Sequence, residues 1–177
     1  MPKFAQPSDK KEFTLPKGSK LEPKGVLKPY EMVKVLLSKE DSVFEKRIQA
    51  ISFAAELEWL ANEETPNDLQ LTSATYQRAP RGIYSQDIRQ AISQVENIYS
   101  RIAYSQGHRT RKWDTSQVGN LDISTENEEA HRIIESVYEA ASGISDEDLM
   151  TWCLTIDNVS GLDTGEEIDL EHVSNYL

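Results

Sequence analysis

Between residues 42 and 62, apolar side chains point in nearly every direction once the chain is wound as a helix, and this stretch constrains the fold more than any other. Phe44, Ile48, Ala50, Ile51, Phe53, Ala54, Leu57, Trp59 and Leu60 cover most of the circumference, leaving one continuous polar stripe of Glu45, Gln49, Ser52 and Glu56. A helix apolar on so many sides has to be packed between other elements, so it is expected at the centre of a bundle. The chain supplies material for one such core: 177 residues, 38% of them hydrophobic, make one domain and are too few for two with linkers.

The remaining helix signals are regular. Ser38 to Asp41, Thr65 to Asp68, Thr125 to Glu128 and Ser145 to Asp148 each set a hydroxyl three residues before a carboxylate, the arrangement that satisfies orphaned N–H groups at a helix start. Pro80, Gly107 and Gly143 mark stops. Helices are predicted near 30–38, 42–62, 66–78, 84–106, 126–142 and 146–156, with a weaker one near 166–175. In the 84–106 segment Ile88, Ala91, Val95, Ile98 and Ile102 form one core seam, widened by Ile92 and Tyr99, with Arg89, Glu96 and Arg101 left for solvent or a partner. No run of alternating strands is evident, although Gly119 to Ile123 could form a short extended stretch. The fold class expected is all-α, a single helical bundle over residues 28–156.

The ends differ from this core and from each other. Five of the seven prolines fall in the first 29 residues, interleaved with Lys, and no apolar period survives there. Residues 1–27 are therefore expected to be an extended basic arm, since proline removes backbone donors and the scattered Phe4, Phe13, Leu15 and Leu21 cannot form a core. Residues 157–177 are expected to be an acidic tail, whose Leu170, Val173 and Leu177 could dock in a groove or fold back on the bundle. Charge is sorted accordingly: residues 1–28 carry a net +4, 29–72 a net −5, 73–113 a net +5 and 114–177 a net −15. Such a field chooses partners without dictating a fold.

Candidate chemistry centres on the third of these segments. Arg78, Arg81, Arg89, Arg101, His108, Arg109, Arg111 and Lys112 are interspersed with Tyr76, Tyr84, Tyr104 and Trp113, a set in which cations could neutralise phosphates and aromatics could stack on unpaired bases. The same residues could instead complement a helix C-terminus or pair with the acidic final third. Glu128-x-x-His131 and Asp169-x-x-His172 have the spacing of helix-borne metal pairs, but partner glutamates are not evident in an apolar seam, so no metal or other cofactor is expected. Asp157 to Asp163 lacks the alternating oxygen donors of a calcium loop. No nucleophile elbow, phosphate-cradling glycine loop or HExxH occurs, and the lone Cys153 excludes an intrachain disulfide. Nothing approaches about 18 consecutive apolar residues, so a location inside the cell, cytoplasmic or within a virion, is expected with no membrane partner.

Together these features predict a non-enzymatic structural protein that self-associates through its arms into a homo-oligomer, holding single-stranded nucleic acid if the Arg cluster binds phosphates. The arm, core, arm plan looks like that of helical viral coat and nucleocapsid proteins, a likeness of architecture that carries over no functional positions. The alternative is an adaptor or regulatory module that engages a heterologous protein partner and no nucleic acid.

Overall fold

The computed structural model describes residues 25–39, 42–62, 69–99, 102–104, 111–114 and 127–170. The described part is mostly helical but contains three small sheets, which corrects the all-α expectation. In chain order its elements are β1 (Gly25–Leu27), α1 (Pro29–Leu37), β2 (Ser42–Phe44), α2 (Glu45–Ala61), β3 (Gln70–Thr72), β4 (Gln77–Ala79), β5 (Gly82–Tyr84), α3 (Gln86–Tyr99), β6 (Ile102–Tyr104), β7 (Arg111–Asp114), α4 (Glu128–Ala140), α5 (Asp146–Thr155) and α6 (Asp157–Ser160).

Helix α2 is the centre of the molecule: α1, α3, α4, α5, β3 and β5 all touch it. Its Ile48, Phe53 and Leu57 are fully buried, as are Met32 of α1, Ile88 and Ile92 of α3 and Ile134 of α4. Burying side chains of this size contributes on the order of 1.5–3 kcal/mol each before conformational entropy is subtracted. The seam expected on α3 is present at Ile88, Ala91, Ile92 and Val95. Local signals set several ends. Pro29 opens α1, with the Glu31 carboxylate accepting from the Lys28 N–H at 2.9 Å. Gly143, at φ +84°, turns the chain after α4 through the left-handed region that favours glycine, and Ser145 Oγ accepts from the Asp148 N–H at 3.1 Å to start α5. Arg47 fastens this corner, its guanidinium donating to the Ala141 carbonyl at 2.9 Å, the Ile144 carbonyl at 2.7 Å and the Asp146 carboxylate at 3.0 Å.

The departures from sequence expectation have physical causes. Residues 69–78 are not helical; they form β3, a link and β4. Backbone groups that a helix would satisfy internally are instead taken by distant side chains: the Thr72 N–H donates to Glu56 Oε1 at 3.3 Å, the Thr75 N–H to the Asp87 carboxylate at 2.9 Å, and the Leu69 carbonyl accepts from the Trp59 indole at 3.0 Å. Thr65 and Asp68, which suggested a helix start, lie outside the described residues. Ser38 closes α1, its hydroxyl donating to the Val35 carbonyl at 2.7 Å, and α2 begins only at Glu45 after the strand β2. Helix α3 stops at Tyr99 because Ile102-Ala103-Tyr104 pairs with β7, within the sheet order β2-β7-β6. A β-branched and an aromatic residue two apart suit a strand as well as a helical seam.

Residues on either side of 28–156 also pack on the core. Leu27 of β1 is buried, and Gly25 packs so closely on β3 that a Cβ there would lie 2.3 Å from the Thr72 carbonyl carbon. At the other end Val159, Ile168 and Leu170 join the core. Residues 165–168 run antiparallel along β4: the Arg78 N–H donates to the Glu166 carbonyl, the Gly165 N–H to the Arg78 carbonyl and the Ile168 N–H to the Tyr76 carbonyl, each at 2.8 Å. The apolar residues of this segment thus fold back, and residues 166–169 are not the helix expected there. Residues 1–24 and 171–177, with Val173 and Leu177, lie outside the described residues, as does Gly119 to Ile123.

Candidate functional site

The polar stripe of α2 is not a solvent face. Glu45, Gln49, Ser52 and Glu56 are all buried, and Glu45, Gln49 and Glu56 fasten the 72–89 region to the central helix. Gln49 grips Ser85 on both sides, its Oε1 accepting from the Ser85 N–H at 2.8 Å and its Nε2 donating to the Ser85 carbonyl at 3.0 Å. Ser85 Oγ in turn accepts from the Ile88 N–H at 3.2 Å and caps α3. Glu45 accepts from Arg89 at 3.1 Å. At the inner end Glu56 has no cation beside it among the described residues; its carboxyl meets the Thr72 hydroxyl and N–H. Burial pushes its pKa up to about 8, with the Thr72 and Leu71 contacts opposing the shift. It is therefore mostly a neutral acid at pH 7.

Tyr76 packs its ring against Phe53 with centroids 5.3 Å apart. Its phenol is held well above the ordinary range by burial first and by the Glu56, Asp87 and Cys153 acids after that. Ser52 lies near enough to favour the ionised phenol, yet neither hydroxyl completes a hydrogen bond. Cys153 is buried too, and burial pushes its thiol up to about 12. Glu56, Tyr76 and Cys153 are thus three buried acids, each held toward its protonated form chiefly by burial.

The residues expected to bind nucleic acid are dispersed. Arg78 and Arg81 lie on the β4–β5 hairpin; Arg78 is partly buried with its guanidinium turned to the Ala79 carbonyl, whereas Arg81 is exposed at the turn. Arg89 is occupied by Glu45. Arg101, His108 and Arg109 lie outside the described residues. Arg111, Lys112 and Trp113 are consecutive on β7, the middle strand of its sheet, in register with Tyr104, Ala103 and Ile102 of β6. Three of these nine positions are thus brought together on one strand, and two others serve the fold.

Two further features stand out, the first unread in the sequence and the second foreshadowed there by the net −15 of residues 114–177. A cleft of about 820 Å³ lies at the hairpin, lined by Lys46, Pro80, Arg81, Ile83, Tyr84 and Met150. The second is an acidic flank: Glu128, Glu135 and Glu139 on α4, Glu147 and Asp148 on α5, and Glu166, Glu167 and Asp169 beyond α6 are all exposed. Lys39 meets Glu135 at 2.9 Å and Lys46 meets Glu147 at 2.5 Å, the latter holding the Glu147 carboxyl below its usual range. Trp152, 39% exposed on the outer side of α5, and Ile144, 41% exposed just before it, are the exposed large hydrophobic residues among those described. No signal in the sequence marked the exposure of Trp152, since helical period sets it on the same i, i+3, i+4, i+7 stripe as the buried Leu149, Cys153 and Ile156.

Among the described residues no three metal-ligating side chains converge; Glu128 is exposed and His131 half-buried. No helix among them is long and apolar enough to cross a membrane. No family model, curated protein or solved structure matches the chain.

Proposed function

We propose that this chain is a non-enzymatic, self-associating structural protein of coat or nucleocapsid type, in which the basic arm of one copy lies on the acidic flank of the next. The observation that carries this reading is that carboxylates of the last third stand exposed on α4, α5 and the folded-back 163–169 segment, open to a partner of opposite charge such as the arm. Donor and acceptor are different parts of the chain, so the contact is heterologous and propagates into rings or filaments. The buried acid, phenol and thiol described above favour a non-catalytic reading.

Removing residues 1–24 tests it. The cut falls before β1 because Leu27 belongs to the core. The expected result is loss of assembly by size-exclusion chromatography with light scattering, with helicity by circular dichroism unchanged. Assembly that persists without the arm refutes the proposal. A full-length protein that is a clean monomer or dimer at low and high salt supports the adaptor reading instead.

The register of β6 and β7 favours a second role, single-stranded nucleic-acid binding, by placing Arg111 across from Tyr104 with Lys112 and Trp113 following on the same strand. Replacing Arg111 and Lys112 with Ala is expected to weaken binding to a labelled single strand and to flatten its salt dependence by roughly one unit of slope per lost contact. Unchanged affinity and slope would remove this role.

A further inference from the structure

We infer that the outer face of α5 is the seat of the arm: residues 1–24 of a second copy lie across Glu147, Asp148, Thr151, Trp152 and Thr155. This inference rests on the assembly reading above and names its contact surface. These five residues are exposed in succession along one side of the helix, while Leu149 and Cys153 face inward. Asp148 uses its N–H on Ser145, and its carboxylate has no cation among the described residues. Trp152 is 39% exposed beside these acids. A large indole kept at the surface within a field of carboxylates suits a ligand that is both cationic and rigid.

The arm has that chemistry. Residues 1–24 hold six Lys against three acids, with Pro2, Pro7, Pro16 and Pro23 spaced among them. Proline fixes an extended backbone at low entropic cost and packs flat on an aromatic ring, and a lysine ammonium is attracted to the ring face. Twenty-four extended residues reach roughly 80 Å, enough to cross to a neighbouring copy. Within the seat Glu147 already meets Lys46 of its own molecule, as Glu135 on α4 meets Lys39, so Asp148 beside Trp152 is the carboxylate of α5 left for the arm.

The test uses full-length protein, half of it labelled with nitrogen-15, treated with a zero-length carboxyl-to-amine cross-linker and read by mass spectrometry. The expected products join arm lysines to Glu147 or Asp148 with mixed isotopes. Products of a single isotope only, with no mixed ones, mean that the arm folds back on its own copy, and products confined to other carboxylates mean another surface; either overturns the inference. In parallel, sedimentation compares Asp148→Lys/Trp152→Ala with a full-length arm variant, Lys10→Glu/Lys11→Glu/Lys17→Glu. Both are expected to weaken self-association about tenfold, with unchanged circular dichroism. If only the arm variant loses assembly, α5 is the wrong surface but arm-driven assembly stands. If the arm variant assembles as the parent does, arm-driven assembly fails as well.

Discussion

Replacing Glu56 with Gln isolates the titration of the buried acid. In the unfolded chain this carboxyl ionises near 4.5, and in the fold burial holds it neutral up to about 8. Between those values the native state keeps a proton that the unfolded state releases, so stability falls as pH rises, by about 1.4 kcal/mol per unit at most. The effect is absent below 4.5, amounts to about 3 kcal/mol by pH 7, and stops growing above 8, where the folded form ionises too. Neither neighbouring acid titrates within that window, since the Tyr76 phenol and the Cys153 thiol are both raised. Glutamine keeps an oxygen for Thr72 and cannot ionise, although its new N–H2 needs partners and costs about 1–2 kcal/mol at every pH. The variant is therefore expected to be less stable than the parent at pH 5 and to overtake it by about pH 6, the difference shifting by about 3 kcal/mol between pH 5 and 7.5. Urea unfolding followed by circular dichroism at half-unit pH steps measures this. Stability curves that stay parallel, with a difference constant to within about 0.5 kcal/mol, would refute the argument that Glu56 is neutral in the fold.

Other substitutions probe separate parts of the structure. Tyr76→Phe removes a buried hydroxyl that has no hydrogen-bond partner, so it is expected to leave stability unchanged or raised by up to about 1 kcal/mol in the same urea assay. Gly25→Ala drives a methyl into the Thr72 backbone and is expected to cost about 1–3 kcal/mol, read as a lower thermal midpoint. Arg47→Ala strips the α4–α5 corner of its bonds to two carbonyls and to Asp146, with an expected loss of about 2–4 kcal/mol. The Cys153 thiol, buried and raised to about 12, is expected to resist alkylation at pH 8 and to react at the rate of opening as urea is added, followed by mass spectrometry.

The helical part of the fold was legible because it follows local period. The apolar seam of α3, the all-round apolarity of α2 and the Ser145 start of α5 need only a few neighbouring residues to be read. What was illegible depended on partners far along the chain. Thr72, a plausible helix residue from its neighbours, becomes a strand residue because Glu56 receives its N–H and hydroxyl. Arg89 counts as a free cation in sequence, but Glu45 on another helix occupies it. The acidic end reads as a tail because its charges outnumber its apolar residues; Val159, Ile168 and Leu170 suffice to anchor it because α5 and β4 already provide the surface. Of the basic cluster, only Arg111, Lys112 and Trp113 share a strand in the described residues, and their adjacency in sequence was the clue.

The segment along β4 has a consequence for how the molecule is made. During synthesis at roughly 5–20 residues per second, the hairpin leaves the ribosome several seconds before Gly165 to Ile168. Through that interval the outward N–H and C=O of Arg78 await a strand that does not yet exist, and on a crowded polysome the nearest extended chain belongs to a sister molecule. The native closure is thus a late event of translation, and the order of emergence leaves a brief period in which nascent copies can pair with one another.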